Sequence, residues 1–467
     1  MNPVLRPTSL FDTVKYVGFL GQGAYGSVKG YTLPDGSSVA IKTIELELGE
    51  LSDSSIVELH SLSVLKGKSH IMQLLEVQTD IESIQIMSVQ YTGSLLQFIS
   101  TVKLEDRISV FDSVCEQLLL GLHHIYRASI IHRDIKPDNI FVNFDLDLDT
   151  NKLTQHPQCY YADFGLALQL NCAEGNQAMS NNVYTPGYKA PEVLKGEEYC
   201  YKADVWALGI TLLQYLAPEF DIHHEDLEVE LQNLQALSQI SYGEEELDID
   251  GILTFLMPEH LVKEIAEKQV ETIQAMLIFN PDIRNHITDF IQPDDVYPRT
   301  VYLPKRGAPL SKLVTISLYY SVVTWMIDFL SVKTFYPNVV IGTMDLFERY
   351  VANYKVADRV EFHATMVCCM LLAVKVGDDV SMNASDFPKY YNLEAVNALT
   401  PLVLKRLNYI SATCETSEFI NTLTATLDPE RILRRLYRYY HSKRVYSGAV
   451  TYMKLSLIVS KLESDSA

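Results

Sequence analysis

Along the first hundred positions apolar and β-branched residues come in short runs broken by turn formers. Val14–Gly21 and Val39–Ile44 flank Pro34-Asp35-Gly36, and Ile84–Val89 is a third run, so this stretch reads as strand-rich. Elsewhere the apolar spacing is helical, over Ser54–Leu65, Val110–Tyr126 and Ala203–Tyr215. Past residue 311 strand signal nearly vanishes: Val314–Leu330, Gly342–Tyr354, Ala364–Val376, Leu393–Leu407 and Glu430–Tyr440 each suit a helix. Ala364–Lys375 is apolar on nearly all faces, which predicts a central helix wrapped by others. Leu313–Leu330 is interrupted by polar residues and Ala364–Val376 is too short to span a bilayer, so both are expected as buried helices away from any membrane. Between the halves, Pro293, Pro298, Pro304, Gly307 and Pro309 resist helix and favour an extended connector. The expected organisation is one domain over 1–292, a linker over 293–311 and an all-α domain over 312–467.

Composition supports folded domains. The chain has 467 residues, 48% of them apolar, too many for a disordered chain and enough for two or three cores. Charge divides the halves: residues 300–467 hold 19 Lys/Arg against 15 Asp/Glu, a surplus of four positive charges. The rest of the 38 basic and 59 acidic side chains leave 1–299 at −25. That balance disfavours general nucleic-acid binding, which needs clustered cations. The acidic runs Asp145–Asp149, Glu225–Glu230 and Glu244–Asp250 read as solvated loops or faces between elements. Cys115, Cys159, Cys172, Cys200, Cys368, Cys369 and Cys414 are odd in number with no CxxC pair. The N-terminus MNPVLRPTSLFD also lacks the apolar core of a secretory signal, so the expected setting is intracellular, cytoplasmic or nuclear.

The chemistry lies in the acidic half. Gly21-Gln-Gly23-Ala-Tyr-Gly26-Ser-Val28 follows a strand, where glycines let backbone N–H groups approach phosphate oxygens; alone it also fits a glycine-rich hairpin. A strand rather than a helix follows it, which excludes a dinucleotide fingerprint. Val39-Ala40-Ile41-Lys42 places a lysine on the next strand, and Glu58 on the following helix could hold that ammonium toward phosphates, although such a pair is more often a surface salt bridge. Ile131-His132-Arg133-Asp134-Ile135-Lys136-Pro137-Asp138-Asn139 supplies a carboxylate for a substrate hydroxyl, a lysine for a moving phosphoryl group and an amide oxygen for Mg²⁺. Asp163-Phe164-Gly165, Ala190-Pro191-Glu192 and Asp204-Val205-Trp206-Ala207-Leu208-Gly209 follow in order.

With these motifs the chain resembles the eukaryotic protein kinase family over roughly Phe11–Ile291, and HRDIKPDN resembles its serine/threonine branch. The resemblance implies a bilobal α+β fold, strand-rich then helical, transferring phosphate from ATP with Mg²⁺ to a protein substrate. It makes Asp134 the base, Lys136 the neutraliser of γ-phosphate charge, Asn139 and Asp163 the Mg²⁺ ligands, and Lys42 with Glu58 the pair that aligns ATP. It further places Gly21, Gly23 and Gly26 over the phosphates, Val28, Ala40 and Phe141 around adenine, Ser88 behind it, and backbone groups of Val89 and Tyr91 on its edge. Arg284 resembles the arginine that pairs with the APE glutamate, here Glu192.

Trp325 in Ser321–Phe329, Glu348-Arg349-Tyr350, Ala364–Lys375 and Leu404–Tyr409 follow one another in the order of a cyclin box, which the chain resembles over about 312–412. The implied reading is a cyclin-dependent-type kinase fused to its own activator, with an intramolecular contact between the two domains through Lys375. Two positions depart from the box: Thr400 stands where a glutamate is expected and Thr324 where an aspartate is. The same resemblance places Ser180 at the activating phosphorylation site, with Arg133 to bind its phosphate, and Tyr25 at the inhibitory tyrosine; Ser180 equally fits an ordinary loop serine. Lys189 replaces the arginine tied to proline-directed specificity, and LSDSSIVELH replaces PSTAIRE. Opposite charge on the two halves and a short linker favour docking in cis. The alternative is a helical domain that recruits substrates or partners. The strip Arg431–Arg444 fits either a phosphate or RNA surface or an amphipathic helix with a basic face.

Overall fold

The computed structural model describes residues 9–23, 26–46, 52–79, 83–147, 149–150, 152–169, 184–241, 243–291, 322, 325–326, 329, 337–354, 356, 359–377 and 393–407. These fall into two compact units. One is drawn from 1–45, 65–167 and 176–298, the other from 46–64, 168–175 and 299–467.

The first unit opens with an antiparallel sheet of β1 (Lys15–Gly23), β2 (Gly26–Thr32), β3 (Ser38–Glu45), β4 (Leu74–Thr79) and β5 (Ser83–Val89), in the order β1-β2-β3-β5-β4. Alternation along β3 gives the sheet two characters. Val39 and Ile41 join Met87 in a core under Phe11, Val14, Tyr31, Leu33 and Leu75. Ala40 and Lys42 alternate to the other face, in register with Gly30 and Val28 on β2 and with Ser88 and Ile86 on β5. β2 and β4 were not legible as strands: β2 carries two glycines, and β4 holds Glu76 beside a register shift. Glu76 is used, accepting from the Ser9 hydroxyl at 3.0 Å.

The helical part of this unit follows its expected periodicity. Phe111–Arg127 buries Val114, Leu118, Leu122 and Ile125 along one face. Lys202–Leu216 is buried almost throughout, including Asp204 and Trp206. Arg284 closes the base: it makes a two-pronged bond to Glu192 at 2.7 and 2.9 Å, donates to the Ile278, Lys202 and Phe279 carbonyls, and lies 5.1 Å over the Trp206 ring.

Two of the acidic runs lie on elements rather than between them. Glu244–Leu247 is a strand paired with Ser238–Ser241, and Ile249–Leu256 is a helix capped by Asp248. Glu225–Glu230 runs into the helix Leu227–Ala236, where Glu230 is fully buried. Acidic sequence alone does not separate an exposed carboxylate from one satisfied by a distant backbone N–H. Asp145, Asp147 and Asp149 are exposed loop residues as expected.

The second unit contains α1 (Asp53–Val64), the short strand Leu168–Gln169 and the helices Pro337–Asn353, Arg359–Gly377 and Leu393–Arg406. Arg359–Gly377 packs on Pro337–Asn353, on Leu393–Arg406, on α1 and on Leu168–Gln169. Its residues Met366 to Val374 are all buried, as expected for a central helix. Thr400, at the position of the missing glutamate, donates to the Val396 carbonyl at 2.9 Å and to Cys368 Sγ at 3.3 Å. Of the expected helix Val314–Leu330, only Val322, Trp325, Met326 and Phe329 are described. Glu430–Tyr440, the linker 293–311 and the basic strip Arg431–Arg444 lie outside the described residues. No described helix is long and apolar enough to cross a membrane. Cys115, Cys159, Cys200, Cys368 and Cys369 are free and buried.

Candidate active site

Asp204 organises the loop that carries the chemistry. Its carboxylate, buried within the helix Lys202–Leu216, accepts the backbone N–H of His132 at 2.6 Å and that of Arg133 at 3.0 Å. Burial raises its pKa, opposed by His132 and these N–H groups. Arg133 takes a left-handed φ of 65°, and its Nε donates to the Leu166 carbonyl at 2.7 Å. The His132 ring donates to the Ala162 carbonyl at 3.1 Å and lies 4.7 Å from the Phe164 ring, joining the loop to the segment that carries Asp163.

Asp134 sits at the centre of this frame. Thr185 donates its hydroxyl to Asp134 Oδ1 at 2.6 Å, Lys136 Nζ lies 3.0 Å from Oδ2, and Asn139 Nδ2 donates to Oδ2 at 2.6 Å. Lys136 also donates to the Thr185 hydroxyl at 2.6 Å. Burial alone would raise the Asp134 pKa, but the Thr185 bond and the Lys136 charge outweigh it and hold the carboxyl below its usual range. The group is therefore an ionised base at neutral pH, with a cation beside it.

Asn139 Nδ2 also donates to the Asp134 carbonyl at 2.9 Å, so both amide hydrogens are used and Oδ1 is the oxygen left for a cation. Asp163 is exposed at a left-handed φ of 56°, directly before the turn Phe164–Leu166. An amide oxygen and a carboxylate are the hard donors that Mg²⁺ takes when phosphates complete its shell. Among the described residues no group of three or more His, Cys, Asp or Glu side chains could hold a metal ion.

Val28, Ala40, Lys42 and Ser88 lie on one face of the sheet. Phe141, on the strand Ile140–Asn143, lies against the Tyr91 ring in a tilted arrangement, centroids 5.5 Å apart. The Tyr91 hydroxyl accepts the Gln73 N–H at 3.0 Å, and burial pushes its pKa up to about 12. The Val89 N–H bonds the Gln73 carbonyl at 3.3 Å. Gly21 has open space where a side chain would project, whereas Gly26, at φ +146°, would drive a Cβ into the Thr43 carbonyl. Gly26 is thus required by the close approach of β2 to β3. Gly23 ends β1 in register with Gly26. Lys42 is half-buried on β3 and Glu58 is buried on α1. Tyr25 and Ser180 lie outside the described residues.

Sequence reasoning missed Thr185, which bridges Asp134 and Lys136 from 49 residues away and looks like any loop threonine in sequence. It also missed Tyr184, buried at a left-handed φ of 67° with its hydroxyl 3.2 Å from Asp204 Oδ1.

The strand-rich and helical parts and the HRD loop on its buried aspartate are the layout of the protein kinase class. Comparison agrees: the protein kinase domain family matches residues 14–294, and the cyclin N-terminal domain family matches 301–410. The chain belongs to the protein kinase family and carries a cyclin domain after it. It is 32% identical over 215 residues to the serine/threonine-protein kinase ste20 of Aspergillus oryzae, covering 46% of this chain and 23% of that one. It is 36% identical over 222 residues to the serine/threonine-protein kinase CST20 of Candida albicans, covering 46% and 16%. With the serine/threonine-protein kinase pakA of Talaromyces marneffei it shares 32% over 202 residues, covering 43% and 29%. The chain thus spans less than a third of these relatives' length.

Proposed function

We propose that this kinase uses ATP and Mg²⁺ and is switched on in cis by its own cyclin domain. In this reading Asp134 accepts the substrate hydroxyl proton, Lys136 neutralises charge on the transferring phosphoryl group, and Asn139 Oδ1 with Asp163 holds the cation. The Mg²⁺ supplies charge neutralisation at the phosphates. Gly21, Gly23, Gly26, Val28, Ala40, Val89, Tyr91 and Phe141 receive the nucleotide, and Lys42 and Glu58 align it. The chain's own part is positioning and electrostatic stabilisation, with no covalent intermediate.

The observation that carries the cis reading is the company α1 keeps. This helix, which bears Glu58, and Leu168–Gln169, five residues beyond Asp163, pack on the helix Arg359–Gly377. Lys375 in the last turn of that helix forms an ion pair with Asp53 in the first turn of α1. Each charge also complements the dipole of its own helix. His60 on α1, buried, bonds Gln169 at 3.1 Å; burial brings its pKa down to about 4, so it stays neutral. A domain that fixes α1 fixes Glu58, and thereby the phosphate-aligning pair.

The charge pair gives the test. Lys375→Glu sets two carboxylates against each other and is expected to lower activity on a generic basic peptide roughly tenfold, about 1.4 kcal/mol in transition-state terms. The swap Asp53→Lys with Lys375→Glu restores most of it. Undiminished peptide activity in the single variant, with loss only on particular protein substrates, would favour a recruiting domain instead.

A further inference from the structure

Glu230 is a fully buried carboxylate outside the catalytic set. Burying a charge is costly unless it is paired and hydrogen-bonded, so its partners carry information. Oε1 accepts the backbone N–H of Gly187 at 2.9 Å, Oε2 accepts that of His224 at 3.4 Å, and His223 Nδ1 lies 3.7 Å from Oε2. Lys189, also buried, is near enough to feel the charge: burial lowers its pKa and Glu230 opposes that.

Gly187 takes φ +86°, a conformation that L side chains rarely adopt. A Cβ there would meet only His223 at 3.6 Å and Asp221 at 3.8 Å, ordinary contacts. Glycine is therefore needed for the turn that aims its N–H at Glu230, not for lack of room.

Two residues earlier, Thr185 bonds Asp134. The span Thr185–Gly187 is thus fixed at one end to the catalytic carboxylate and at the other to Glu230, with Pro186 exposed between them. Beyond it the Tyr188 hydroxyl donates to Gln214 at 2.5 Å. A peptide that presents its hydroxyl to Asp134 would bring a residue beside the phosphoacceptor to this segment, where Pro186 is exposed and Tyr188 half-buried.

We propose that Glu230 is a positioning residue for the peptide substrate: by holding the Gly187 turn it fixes the Pro186–Tyr188 edge against which the residues flanking the phosphoacceptor lie. It acts on peptide binding and leaves the nucleotide side alone. The inference rests on the kinase activity and is independent of activation in cis.

The test is steady-state kinetics of the full chain on a peptide substrate. Glu230→Ala should raise the peptide KM roughly tenfold, with the ATP KM unchanged and kcat moving far less than KM. Glu230→Gln keeps an oxygen for the Gly187 N–H and should recover most of the peptide affinity. Gly187→Ala disturbs the turn while leaving the buried carboxylate in place, and should raise the peptide KM in the same selective way even if Glu230→Ala does not fold. An unchanged peptide KM in Gly187→Ala, or peptide and ATP KM rising together in either variant, would overturn the proposal.

Discussion

Asp134→Asn in the full chain reduces phosphoryl transfer by a factor of about 10³, within the range for removing a positioned general base. The change is nearly isosteric, so the frame around it should persist: Asp204 still holds the His132 and Arg133 N–H groups, and Thr185 can still donate to the amide oxygen. What is lost is the anion between Lys136 and Asn139. ATP affinity, read by nucleotide titration, should change little. Because the folded-state pKa of Asp134 is depressed, the base form is fully present through the neutral range and is lost only as pH falls through that lowered value. The wild-type rate should accordingly show no acid limb from this group between about pH 5 and 8. A variant keeping more than a tenth of wild-type turnover would remove Asp134 from its role.

Arg284→Met should be the most damaging structural change in the kinase domain. It leaves Glu192 as a buried carboxylate without its two-pronged partner, and removes the donors to Ile278, Lys202 and Phe279. Breaking a buried pair from one side costs about 3–5 kcal/mol. At roughly 2–4 °C per kcal/mol for a domain of this size, the midpoint of thermal unfolding should fall by about 10 °C. A shift under about 2 °C would mean the pair contributes little. The paired change Arg284→Met with Glu192→Leu should lose less than the single one, since no charge is then stranded.

The catalytic loop was legible because its chemistry is contiguous: His132 to Asn139 sit together, and no common structural motif needs those side chains in that order. The central helix was legible from composition, since only a wrapped helix can carry Met366 to Val374 without a polar face. Glu230 was not, because an acidic run looks alike whether water or a backbone N–H 43 residues away satisfies it. Thr185 and Tyr184 were missed for the same reason: their roles exist only once the chain brings them against Asp134 and Asp204. Strands β2 and β4 were hidden by local residues that tertiary contacts override, Gly26 against Thr43 and Glu76 beneath Ser9. The Lys375–Asp53 pair spans 322 positions: a lysine at the end of an apolar helix stands out in the sequence, but its partner does not.

Activation of the kinase by the C-terminal domain of its own chain can be tested by cutting that domain free. A specific protease site placed within 293–311, with a tag at the C-terminus, allows the domain to be cut free and then removed after purification of the intact protein. Activity on a basic peptide should survive cleavage at micromolar enzyme, fall at least tenfold once the tagged half is depleted, and return when that half is added back. Full activity in the depleted enzyme would contradict activation in cis and assign the domain to recruitment.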